Sequence, residues 1–286
     1  MRELVGETSS MCRKRARLAT LIAPVLIALA PMAHAGEAPA RPAADTDASA
    51  PMGPRRATPA QRAEARRADP LARAAFWGSE LAADGRDVEA GVALSQALRA
   101  LGRFDEASAA VTKVLIVAPE DVEALLESAR VHIARGQGFY AIEPARKAAS
   151  LAPRDWRPQS LLGVAYEQAQ RDDEALAAHK QAVALAPNEA TPNANYAMHL
   201  AARGDLAGAE AQLKRAVALP SSTIQIRQNL ALVIGLQGRL AEAEKLARED
   251  LPPESVANNL AWLRAATGQG ASSIQPRSWE ALKAGS

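Results

Sequence analysis

The chain has 286 residues, with 34 basic and 32 acidic side chains and a single cysteine, a length that holds one or two domains or one array of repeats. A net charge of +2 supplies no broad basic field for nucleic acid, and one cysteine excludes an intramolecular disulfide and CxxC-type zinc or iron–sulfur sites. Only 3% of the residues are aromatic while 68 are alanine, which suits helices packed through small side chains and argues against a sheet protein.

Residues 1–35 read as an export signal. Arg13, Lys14, Arg15 and Arg17 form a positive start, Leu18 to Ala33 is an apolar stretch broken by Pro24 and Pro31, and Ala33-His34-Ala35 is a small-x-small cleavage site. The apolar stretch is shorter than the ~20 residues of a spanning helix, so cleavage after Ala35 is expected, with a retained inner-membrane anchor as the alternative. Met11, directly before the basic cluster, is a second candidate start. Without residues 1–35 the chain keeps 29 basic and 30 acidic residues and a net charge of −1. The protein is therefore expected in the periplasm, peripheral to a membrane at most.

From Gly36 to about Asp69 the sequence is rich in Ala, Pro, Arg and Asp and poor in large apolar side chains. Such a segment buries too little surface to offset its ordering entropy, which predicts a disordered tether over 36–69, with Ala-Arg-rich pieces such as Gln61 to Arg67 transiently helical. The alternative is a docking segment for an acidic surface, because Arg55, Arg56, Arg62, Arg66 and Arg67 cluster here.

Beyond residue 70 the chain is periodic. Ala107, Ala141, Ala175, Ala209 and Ala243 are 34 residues apart, and Gly102, Gly136, Gly204 and Gly238 fall on a second phase in which Gln170 is the exception. Pro119, Pro153 and Pro187 mark a third. Each unit offers two amphipathic segments, with glycine between them where a helix end needs positive φ and proline after the second, where it stops the helix. A further small row, Ser95, Ala129, Gly163, Ala197 and Ala231, lies in mid first helix. An all-α array of stacked helical hairpins follows.

These residues resemble the tetratricopeptide repeat (TPR). The clearest unit spans 156–189, with Leu162-Gly163, Tyr166, Ala175, Ala182 and Pro187 at the family's positions. The resemblance implies a TPR domain over 70–267 with full repeats near 88–121, 122–155, 156–189, 190–223 and 224–257. Pro70 to Ala83 would be a lone second helix at one end and 256–266 a capping helix at the other, because end units otherwise expose apolar faces. Residues 268–286 are expected to be a flexible tail. His179 stands where the family has an aromatic residue, and Asp250 where it has a small one.

Catalytic chemistry finds no support. His132, His179 and His199 fall on unrelated phases, without metal-ligand spacing, and are expected as partly exposed residues with no metal site. Asp105-Glu106 and Asp172-Asp173-Glu174 open second helices, where carboxylates meet the helix dipole. Neither a nucleophile elbow nor a phosphate-cradling glycine loop is present. The expectation is a non-enzymatic protein without cofactors.

The TPR resemblance places a protein-binding groove on the first helices. Its positions here are Gln96, Arg99, Arg130, Ile133, Val164, Glu167, Asn195, Met198, Asn229 and Leu232. The first half of this face is charged; Val164, Met198 and Leu232 form an apolar ladder in the second, expected either to receive apolar side chains of a partner or simply to pack the array. Asn195 and Asn229 are placed to bond a bound backbone.

Three stretches carry a narrower likeness: Asp69 to Gly78, Ser95 to Arg103, and Asn229 to Gly238 followed by Ala241 to Lys245 and Asp250-Leu251-Pro252-Pro253. Together they are similar to the TadD family of tight-adherence (Flp) pilus assembly proteins. That resemblance implies an envelope adaptor whose partners are the pilus secretin or other assembly components. A general envelope TPR scaffold, serving polysaccharide export or cell-wall synthesis, is the alternative. Lipid anchoring, frequent in the family, is not expected, since no cysteine follows the apolar stretch.

Overall fold

The computed structural model describes residues 56–268. The leader, residues 36–55 of the tether and the tail beyond Gly268 lie outside the described residues. Those described form thirteen helices and no strand: α1 (Pro59–Ala65), α2 (Pro70–Ala83), α3 (Val88–Ala100), α4 (Phe104–Val117), α5 (Val122–Ala134), α6 (Gly138–Leu151), α7 (Trp156–Gln168), α8 (Asp172–Leu185), α9 (Ala190–Ala202), α10 (Leu206–Val217), α11 (Ile224–Leu236), α12 (Leu240–Ala247) and α13 (Pro253–Ala266). None of these helices is long and apolar enough to cross a membrane. The fold class is an α-solenoid. The chain divides into two compact units after Ala178, within α8.

The expected punctuation is present. Gly102, Gly136, Gly204 and Gly238 have φ between 70° and 86°, and Gln170, the one departure from that row, takes the same left-handed conformation at 58°. At each of these five corners the N–H of the following residue closes the helix end, as in Arg103 N–H to Leu98 O (2.9 Å) and Arg171 N–H to Tyr166 O (2.8 Å). First helices begin on a second periodic signal. Asp87, Asp121 and Asp155, again 34 apart, accept from the N–H groups of Ala90, Ala124 and Arg157 as N-caps.

Small residues set the packing. Ala107, Ala141, Ala175 and Ala209 are wholly buried and Ala243 is 2% exposed. In the 56–178 unit the first helices α3, α5 and α7 touch one another directly, whereas the second helices α4 and α6 do not. In the 179–268 unit α9, α11 and α13 touch in the same way, and α10 and α12 do not. Closer spacing of first helices makes theirs the inner face of each unit.

The tether expectation is corrected over its last part. Residues 59–65 form α1, opened by a capping box between Thr58 and Gln61. Arg62 Nη2 donates to Glu80 Oε2 and Asp87 Oδ2 (2.6 Å each), and its Nη1 to Glu89 Oε2 (2.8 Å). Arg66 pairs with Glu89 and Arg56 with Asp84. Both Arg62 and Arg66 also lie over the ring of Trp77, at 5.6 and 5.8 Å. For Arg56, Arg62 and Arg66 the acidic partners thus belong to the same chain. Composition of the segment could not reveal it, because the ordering comes from carboxylates around 20 residues further on.

Candidate protein-binding face

Charge organises the inner face of the 56–178 unit. Glu127, on α5, is fully buried, and a buried carboxylate must be paired. Arg99, on α3, supplies the fork: its Nε donates to Oε1 (2.8 Å) and its Nη2 to Oε2 (3.2 Å). Ser95 Oγ, within 3.5 Å of the same carboxylate, donates to Ala107 O. On the other flank Arg157, on α7, reaches Glu123 Oε1 of α5 (2.6 Å) and Asp155 Oδ2 (2.7 Å). Two ion pairs therefore tie α3 to α5 and α5 to α7.

Arg130 sits between them on α5. Its guanidinium comes no nearer a carboxylate than 3.7 Å, to Glu127 Oε2, and its side chain is 25% exposed. Burial pulls its proton affinity below the ordinary arginine value, Glu127 and Glu123 oppose this, and the charges of Arg99 and Arg157 add to it. Asp155 shows the converse. Burial alone would raise its carboxyl, but the Arg157 side chain and N–H hold it below the usual carboxylate range.

The remaining expected groove residues divide. Gln96, Val164 and Glu167 are half-buried on α3 and α7. Ile133 shares its surface with the core cluster of Leu162, Ala165 and Tyr166, while its carbonyl accepts from Gln168 Nε2 (3.0 Å). In the 179–268 unit Asn195 and Leu232 keep partial exposure. Two of the expected residues lie buried here. Met198 is 7% exposed and Asn229 8%, and Asn229 Oδ1 accepts from Gln225 Nε2 (3.1 Å). Where α9 and α11 pack directly, neighbouring helices cover side chains that a helical wheel assigns to the open face. The apolar ladder is thus reduced to Val164 and Leu232, one in each unit.

The histidine expectation also changes. His132 is half-buried, near Gln137 Oε1 (3.4 Å) and Tyr140. His179 and His199 are buried, at 0% and 4% exposure, with ring centroids 5.2 Å apart. Glu127 was missed altogether. The available signal was an acidic residue inside the apolar run from Ala124 to Ala129.

No protein-family model and no curated protein sequence matches this chain. Among solved structures it is similar to TTC0263, a TPR protein of Thermus thermophilus, at 28% identity and TM-score 0.55, covering 63% of this chain and 98% of that one. A TPR protein of Parabacteroides merdae aligns at 15% identity and TM-score 0.59 over 71% of this chain and 79% of that one. Yeast Tom70 aligns at 18% identity and TM-score 0.53, over 74% of this chain and 45% of its own. The fold is that of TPR proteins.

Proposed function

We propose that the protein is a non-catalytic adaptor of the cell envelope that assists assembly or localisation of a tight-adherence (Flp) pilus and its secretin. It does so by holding a partner segment along its first-helix face. The observation that carries the adaptor reading is the row Arg99, Arg130 and Arg157 on three successive first helices, each side chain between 25% and 36% exposed. Arg99 and Arg157 neutralise carboxylates that join neighbouring helices, but Arg130 between them comes no nearer a carboxylate than 3.7 Å, a partly desolvated cation that stacking alone does not require. Extended inner surfaces are what such arrays offer a partner. The pilus reading is supported by the phrases around Asp69 to Gly78, Ser95 to Arg103 and Asn229 to Pro253, and the periplasmic location by residues 1–35.

The test is affinity capture of the tagged full chain from cross-linked envelope extracts, with secretin multimers measured in a deletion strain. The expected result is recovery of the secretin or another pilus assembly component, and fewer secretin multimers without the protein. Recovery of polysaccharide-export or cell-wall enzymes alone, with secretin multimers unchanged, overturns the pilus reading.

A further inference from the structure

We infer that the inner face of the 56–178 unit recognises an internal acidic side chain of an extended partner segment, received by Arg130; this rests on the adaptor reading above. The carboxylates around Arg130 are already committed. Glu127 gives both oxygens to Arg99, Glu123 accepts from Arg157, and Asp155 serves Arg157 and caps α7. Among the described residues Arg130 has one ion-pair approach, at 3.7 Å and beyond hydrogen-bond length. Its planar fork keeps donors for which the described carboxylates offer no acceptor, beside two further guanidinium groups.

An added carboxylate meets that fork in bidentate geometry and is favoured by the like charges that otherwise repel Arg130. Burial of the arginine stem raises the value of the contact, since the charge is already stripped of much of its water. Ile133, one turn along α5 and partly exposed, lies ~5–6 Å away at the Cβ level. In an extended strand the same-face neighbour is two residues on, at about 6.5 Å. The occupant is therefore a segment with an acidic residue and an apolar residue two positions apart.

Short random peptides, displayed so that their C-terminus is fused and cannot bind, are selected on the purified full chain. The enriched sequences are resynthesised as C-terminal amides. Enrichment of Asp or Glu two positions from an apolar residue is expected. Changing that acid to its amide, or Arg130→Gln in the protein, weakens binding roughly tenfold. In Arg130→Gln the acid and amide peptides bind alike, while Arg130→Lys keeps part of the preference. Arg146→Gln, at an exposed side chain of α6, changes nothing. Peptides that bind without acidic preference, or bind Arg130→Gln as tightly, overturn the inference and leave the adaptor reading standing. If no peptide is enriched, the adaptor reading for this face fails and the inference falls with it. Should Arg130→Gln not fold, the acid-to-amide change in the peptide decides alone.

Discussion

Arg62 is 13% exposed on its side chain and donates to Glu80, Asp87 and Glu89 together. Glu80, itself 6% exposed, also accepts from the Ala57 N–H (3.0 Å), so one guanidinium and one backbone group neutralise a carboxylate that water barely reaches. Arg62→Ala strands that charge and is expected to cost about 3 kcal/mol in denaturant unfolding. It also opens α1 to trypsin at Arg66 and Arg67. A second cluster gives a pH dependence. Glu210 accepts from Lys214, Arg239 and Gln237 (2.7, 2.7 and 2.8 Å), which against its burial hold its carboxyl down at about 2. A lowered folded pKa stabilises above the ordinary value of 4.5 and loses that contribution as pH falls towards about 2. Equilibrium unfolding between those limits should show a shallower loss in Glu210→Gln than in the wild type. Part of the slope remains, because Asp87, Asp155 and Asp250 are also held low by arginine partners against their burial.

At the scale of elements, the corners separate two uses of glycine that look alike in sequence. Gly136 has φ of 70° with open space where a Cβ would go. Gly138, two residues on, has ordinary φ, but a methyl there would lie 2.5 Å from Ala165 O and from Gln168 Cβ. Gly136→Ala is expected to cost ~1–2 kcal/mol from backbone conformation alone. Gly138→Ala should cost ~1–3 kcal/mol, because α6 must move away from α7. The cause of each is distinguishable by adding Asn. Asn tolerates left-handed φ and recovers part of the loss at position 136, while at 138 it is worse than Ala. Thermal melts of the four variants check both. The 34-residue spacing announced the first class of glycine and was silent on the second, since helix-to-helix distance at Gly138 depends on the α7 backbone.

At the scale of the whole molecule, stability in an array of hairpins is a sum over neighbours, so opening begins where neighbours are fewest. Among the described residues α1 has Ala65 as its one buried residue, and α12 has Ala243 and Ala247. By contrast α9 and α11 each bury eight of their thirteen residues and α5 seven. Hydrogen exchange followed by mass spectrometry should therefore show α1 and α12 exchanging first and α5, α9 and α11 last. Uniform exchange across these helices would contradict nearest-neighbour stacking.

Local chemistry made the helical hairpins legible in the sequence. Spacing of alanine, glycine and proline depends on turns and on contacts within one repeat, and these recur every time the repeat does. Gln170 breaks the glycine row in the sequence, and it is the structure that shows it in a glycine's conformation. Tertiary structure alone decided the availability of individual side chains. Met198 and Asn229 occupy positions that a periodic pattern assigns to an open face, yet adjacent first helices cover them. Arg62, which composition assigns to a tether, is bound by carboxylates from α2 and α3, and Glu127, an acid within an apolar run, is the buried charge around which Arg99 and Arg130 are arranged. A period reports which direction a residue points along its own helix. How much of it water and a partner can reach is set by the helices packed against it.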